Sequence, residues 1–176
     1  MMTVYFIATI IAGLGYVTSL VLYFLTFQDI NSLELPINQP LGFVMGGIWF
    51  IAIIKLIRDP KMKALQKQKK LNPIPMLKLM FQGTPMWLLL IAGASFIFSL
   101  ISFLVLMNMQ EGVPSIIDGQ KVIHNHGKII KVLTDGEYIH ALALNARMFI
   151  GHNLIFFGVG TAILYPGIKS DSEKFD

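Results

Sequence analysis

The sequence predicts an all-α integral membrane protein: a four-transmembrane-helix bundle with a small extracytoplasmic β-meander and a helix between helices 3 and 4. Of its 176 residues, 55% are hydrophobic and only 14% are charged, whereas roughly a quarter are charged in a typical soluble domain. Four apolar segments are long enough to cross a hydrocarbon core of ~30 Å. A polar segment with turn and capping signals separates the last two. We therefore expect one membrane domain over residues 1–176.

The four spans are predicted at about residues 5–27, 40–57, 86–107 and 148–165. The first has no Asp, Glu, Lys, Arg or His, and it is too long and lacks the basic start of a signal peptide. Pro166 and Gly167 should end the fourth. Small residues such as Gly42 and Gly46 favour close helix packing. We expect that packing within the bundle, with a homodimer as the alternative.

The distribution of basic residues predicts the orientation. The loop at residues 58–85 is rich in Lys, whereas residues 28–39 contain Asp29 and Glu34 and no base. By the positive-inside rule, the Lys-rich loop and both termini are cytoplasmic and the segment 108–147 is extracytoplasmic. The bases of that outer segment are mixed with acids and do not reverse this assignment. We expect a bacterial cytoplasmic membrane as the setting.

The Lys-rich loop also predicts partners. Lys61 to Lys70 is a basic run, and MLKLMFQG at residues 76–83 is apolar but too short to span, so it should lie in the membrane interface. Anionic headgroups attract each base near the surface by about 1 kcal/mol. We expect anionic lipid as the partner here, with an acidic protein as the alternative. Nucleic acid is not expected, because the positive charge is sorted by membrane side.

The outer segment, residues 108–147, has the signals of a folded cap. Asp118-Gly119 suits a two-residue type I′ hairpin turn, and KIIKVL at residues 128–133 predicts a further strand after a turn at residues 125–127. Thr134 and Glu137 match a capping box. A β-meander and then a helix that runs into the fourth span are therefore predicted.

All four histidines fall on the outer side in this topology, together with several methionines. Imidazole and thioether ligands suit copper, and imidazole suits zinc or haem. The candidate metal ligands are His124, His126, Met107 and Met109. If residues 125–127 form a turn, the side chains of His124 and His126 diverge.

The start of the fourth span contains the candidate ligand-binding residues His152, His140, Arg147 and Asn145. His152 is the strongest of these candidates. It lies roughly 7 Å along the helix from Arg147, at a depth where ionisable groups are rare and usually paired. The simpler interpretation is a neutral imidazole that hydrogen-bonds to a neighbouring helix or to the cap.

Several function classes are disfavoured. Cys is absent, which excludes disulfides, thiolate metal sites and thiol redox chemistry. No predicted span contains Asp or Glu, which argues against an intramembrane aspartyl protease and a proton-coupled exporter. The first three spans lack His, which argues against a two-haem cytochrome b.

The leading hypothesis is a non-enzymatic membrane protein that acts as an accessory subunit or partner-binding factor through its outer cap. The first alternative is a metal- or haem-binding protein that uses His152 and the outer His and Met residues. The second is an enzyme acting on outer-leaflet lipid, with His152 or His140 as base and Arg147 holding phosphate. The stretch DGQKVIHNHGKIIKVLTDGEYIHALALNARMFIGHN resembles small bacterial membrane proteins, and the resemblance implies no functional residue.

Overall fold

A computed structural model describes residues 2–66, 73–109 and 111–165. The helices are α1 (Met2–Leu25), α2 (Asn38–Arg58), α3 (Pro60–Gln66), α4 (Pro73–Met80), α5 (Met86–Met109) and α6 (Asp135–Leu164). The strands are β1 (Val113–Ile117), β2 (Gln120–Asn125) and β3 (Lys128–Val132). Two short 3-10 turns, Thr26–Gln28 and Ser32–Glu34, connect α1 to α2.

Helices α1, α2, α5 and α6 are long and apolar enough to cross a membrane, as the sequence predicts. Helix α6 has 30 residues, so at 1.5 Å per residue it is about 45 Å long and exceeds a hydrocarbon core of ~30 Å. The predicted outer helix and the fourth span are therefore one continuous helix. Its first turns extend beyond the apolar part.

Helix α6 is the centre of the bundle, and α1, α2 and α5 each pack against it. The closest approach to α1 is at Gly15, where an added Cβ would lie 2.5 Å from the Phe157 ring. Ala8 and Ala12 are buried, as expected for interior packing. The prediction that Gly42 and Gly46 pack inside the bundle is wrong, because a Cβ at either would meet no atom within 4 Å.

Hydroxyl groups link α1, α5 and α6 inside the bundle. The Tyr16 and Ser95 hydroxyls are 2.7 Å apart. Tyr23 Oη donates to Ser102 Oγ at 3.1 Å. Ser99 Oγ donates to the Gly151 carbonyl at 2.6 Å. Such bonds supply directional contacts where apolar helices gain little from solvent exclusion.

The three strands form an antiparallel sheet in the order β1-β2-β3. Asp118 and Gly119, at φ 51° and 77°, form the first turn, and His126 and Gly127, at φ 47° and 80°, form the second. Positive φ at both central positions is the signature of a type I′ turn. The predicted meander is confirmed, including the turn at residues 125–127.

The Lys-rich end of the bundle contains two short helices where the sequence predicts a loop. Residues 58–85 contain α3 and α4, and Asp59 Oδ1 caps α3 by accepting from the Lys61 and Met62 amides at 2.8 and 3.3 Å. Lys55 Nζ donates to the Ile163 carbonyl, and Thr84 Oγ1 donates to the Ala162 carbonyl at 2.9 Å. These bonds satisfy terminal carbonyls of α6 that have no helical partner.

Several residues of the sequence predictions lie outside the described residues: Lys67, Lys69, Lys70, Pro166 and Gly167.

Candidate functional site

The start of α6 is joined to the sheet by a capping box and two ion pairs. Thr134 Oγ1 accepts from the Glu137 amide at 3.3 Å, and Glu137 Oε2 accepts from the Thr134 amide at 2.8 Å, which confirms the predicted capping box. Lys131 Nζ donates to Glu137 Oε1 at 2.6 Å, and Lys121 Nζ donates to Asp135 Oδ1 at 2.9 Å. Glu137 is in the first turn of α6, before the predicted span at residues 148–165. The hydrogen bonds from Lys131 and Thr134 lower the pKa of its carboxyl group to about 2.

A second connection joins α6 to the segment between α1 and α2. His140 Nδ1 is 2.6 Å from Asp29 Oδ1, so the imidazole donates from Nδ1 to the carboxylate. Asp29 has a left-handed φ of 56° and follows the 3-10 turn at the end of α1. Both side chains are about half exposed. The candidate ligand-binding residue His140 is thus in contact with an acidic partner 111 positions away.

Arg147 caps the end of α1. Its Nε donates to Thr26 Oγ1 and its Nη2 donates to the Thr26 carbonyl, each at 2.9 Å. The guanidinium carbon lies 3.8 Å from the centroid of the Phe27 ring, at stacking distance. Thr26 is fully buried, so the hydrogen bonds from Arg147 satisfy a carbonyl that has no helical partner. This geometry joins α6 firmly to α1.

Lys131, Glu137 and His140 of these connections line a groove of about 400 Å³ between the end of α5, the sheet and α6. We call it the outer groove. Its lining is apolar at Met109, Ile123, Leu133, Ala141 and Leu144, and polar at Asn108, Glu111, Lys131, Glu137 and His140. It brings together one candidate metal ligand, Met109, and one candidate ligand-binding residue, His140.

His152 lies outside this groove. Its Nδ1 donates to the Met148 carbonyl of its own helix at 2.8 Å, and its ring meets the Phe103 ring edge-on at 5.4 Å. The expected hydrogen bond to a neighbouring helix or to the cap is therefore wrong, because the imidazole bonds one turn back along α6. The side chain is exposed and lines a different groove of about 430 Å³ beside α2, with Gly42 and Asn153 among its neighbours.

The remaining candidates are separated. His126 is at the second turn with φ 47°, whereas His124 is on β2 opposite Val113, so the two imidazoles do not form a pair on one strand face. His124 Nδ1 is buried and has no hydrogen-bond partner among the described residues. Met107 is exposed and Asn145 is half-buried on α6. Across residues 2–66, 73–109 and 111–165, no group of three or more His, Cys, Asp or Glu side chains has a metal-binding arrangement.

The sequence predictions do not single out Thr26 or Phe27, and they name Asp29 only as an acid of residues 28–39. These three residues nevertheless hold Arg147 and His140. Their partners are more than 100 positions away. No local pattern encodes such contacts. The only sequence signal is indirect: a base at the margin of an apolar span requires a partner.

The fold and these connections define a class: a mostly helical chain with four helices that could span a membrane and a small three-stranded antiparallel sheet. No family model, curated protein or solved structure matches the chain.

Proposed function

We propose that this chain is a non-enzymatic integral membrane protein that acts as an accessory subunit or partner-binding factor through its extracytoplasmic cap, residues 108–147. The single observation that carries the proposal is the open edge of β3. Within the part of the chain that the structure describes, strand β3 pairs only with β2, and all five of its residues are exposed. They include Ile129, Ile130 and Val132, whose apolar side chains a partner could cover.

The two edges of the sheet are not equivalent. Strand β1 contains Pro114, which has no amide hydrogen to donate to an added strand. Strand β3 contains no proline, and it begins at Lys128. An extended partner segment could therefore pair with the β3 backbone and cover its isoleucines. Lys128 favours an acidic side chain in that segment, whereas Lys131 is already paired with Glu137.

The ionic contacts around α6 support a binding role over a chemical one. Arg147, His140 and Glu137 each bond to another group of the same chain. These bonds fix the cap on the bundle, and a rigid cap loses less entropy when it binds. The bonds of Arg147 to Thr26 also occupy the side chain that the lipid-enzyme hypothesis needs to hold phosphate.

The proposed setting is a bacterial cytoplasmic membrane with both termini in the cytoplasm. The concentration of lysines at the α3–α4 end supports this orientation, because positively charged loops are retained inside. The cap at the opposite end of α5 and α6 would then face outward. A homodimer is the alternative partner arrangement.

Metal binding is the second candidate function, because Met109 and His140 both line the outer groove. A thioether and an imidazole together suit copper better than a hard cation. Metal analysis and a visible absorption spectrum of the gently purified protein test it. A stoichiometric metal that is lost in His140→Ala would support this candidate, and a metal-free protein without haem absorption would contradict it.

Quantitative copurification tests the leading proposal. The full-length protein is purified from native membranes in mild detergent, as wild type, as Ile130→Asn on β3 and as Ile116→Asn on β1. The two isoleucines are 46% and 60% exposed, so the two substitutions are matched in surface chemistry. We expect a stoichiometric partner with wild type and with Ile116→Asn, and about tenfold less with Ile130→Asn, as for a loss of ~1.4 kcal/mol. Equal recovery with the two variants, or no partner with wild type, would contradict the proposal.

A further inference from the structure

A groove of about 480 Å³ lies between α3 and α4 at the Lys-rich end of the bundle. Lys61 comes from α3, and Lys78 and Gln82 come from α4 and the turn after it. Ala64, Leu65 and Leu79 supply an apolar lining. The groove therefore combines two ammonium groups and an amide with a surface suited to hydrocarbon.

The two lysines are free to bind an outside anion. Both side chains are exposed, and within the described ranges neither forms a salt bridge. The nearest acid along the chain is Asp59, but one of its carboxylate oxygens accepts from the Lys61 and Met62 amides at the start of α3. None of the described residues that line the groove carries a carboxylate.

The position of the groove places it beside the membrane surface. Helix α3 follows α2 after a single residue, Asp59, and α4 leads into α5 through residues 81–85. Met62 is 1% exposed and anchors α3 against the protein. Leu77 of α4 is exposed, as suits a helix that lies in the interface. The candidate span α2 ends at Arg58 and the candidate span α5 begins at Met86, on either side of these two short helices. Phospholipid phosphates lie at the depth where the apolar spans end.

We propose that the α3–α4 groove binds the headgroup of an anionic phospholipid, with Lys61 and Lys78 on the phosphate and the apolar lining against the glycerol and the first acyl carbons. Gln82 is placed to hydrogen-bond to a headgroup hydroxyl. A zwitterionic lipid fits less well, because its ammonium group would meet two lysines and no carboxylate. This inference is independent of the cap and its partner.

Lipid binding is measured on the intact full-length protein by native mass spectrometry, with phosphatidylglycerol, phosphatidylethanolamine and inorganic phosphate as separate probes. The variants are Lys61→Gln with Lys78→Gln, and the control is Lys63→Gln. Lys63 is an exposed base on the same helix that does not line the groove. The thermal melting midpoint of each variant verifies that it is folded.

We expect one phosphatidylglycerol to bind with saturation and the double variant to lose about thirtyfold in affinity, since each base near an anionic surface contributes about a fivefold factor. Lys63→Gln should change the affinity less than about twofold, because Lys63 does not line the groove. A loss of about fivefold in Lys63→Gln, which is the same loss per removed charge as in the double variant, would overturn the proposal in favour of diffuse attraction. Equal binding of the two lipids would also overturn it, as would inorganic phosphate that binds as tightly as the lipid.

Discussion

Arg147 shows at the scale of one residue why an ionisable side chain at the margin of an apolar helix need not be a binding site. The sequence singles it out as a base near the membrane boundary, and the structure assigns it two hydrogen bonds to Thr26 and a stacked Phe27 ring. The sequence could predict that Arg147 needs a partner. It could not predict Thr26, which is 121 positions away, because local spacing does not encode which helix ends meet.

The substitution Arg147→Lys tests this assignment. A lysine keeps the charge but cannot form the two-nitrogen contact or stack as a plane. We expect the free energy of unfolding in detergent to fall by about 1.5–3 kcal/mol, as for lost hydrogen bonds to a charged group. Arg58→Lys, at the exposed end of α2, is the control and should change it by less than ~0.5 kcal/mol. Equal effects of the two substitutions would contradict the capping role.

At the scale of elements, local chemistry predicts most of the architecture. Apolar length predicts the four long helices, Asp118-Gly119 predicts the first hairpin, and Thr134 with Glu137 predicts the start of α6. These signals act within a few residues. Packing partners do not follow from these signals. Gly42 and Gly46 show this, because a Cβ added at either would lie within 4 Å of no atom of the described residues.

Thr134→Ala removes the capping box that begins α6. One first-turn amide loses its acceptor, so we expect the free energy of unfolding to fall by about 1 kcal/mol. Thr9→Ala is the control, because Thr9 Oγ1 only bonds one turn back to the Tyr5 carbonyl within α1. That bond adds little to helix stability. The free energy of unfolding of each variant is measured by chemical denaturation. Equal values for Thr134→Ala and Thr9→Ala would contradict the role of the capping box.

Gly15→Ala tests the contact between α1 and α6. The added methyl carbon would lie 2.5 Å from the Phe157 ring, and such overpacking costs about 1–3 kcal/mol. Gly13→Ala, two positions along the same helix, meets no atom within 4 Å and should be neutral or stabilising by up to ~1 kcal/mol. Thermal melting of the two variants in detergent compares them directly. A higher melting midpoint for Gly15→Ala than for Gly13→Ala would contradict this packing of α1 on α6.

At the scale of the whole molecule, α6 connects the two ends of the protein. Its first turn carries the ion pairs to the sheet, its middle packs against α1, α2 and α5, and its last carbonyls accept from Lys55 and Thr84. The cap is therefore held on the bundle through one long helix. This arrangement supports the proposal that β3 presents a fixed edge to a partner.

Site-specific photo-crosslinking in native membranes tests that central claim most directly. A photoreactive amino acid replaces Ile130 on β3 in one sample and Ile116 on β1 in another. We predict one discrete protein adduct from position 130, containing a segment of a partner chain, and little or none of it from position 116. Crosslinks from position 130 only to lipid, or the same adduct at equal yield from position 116, would contradict the account.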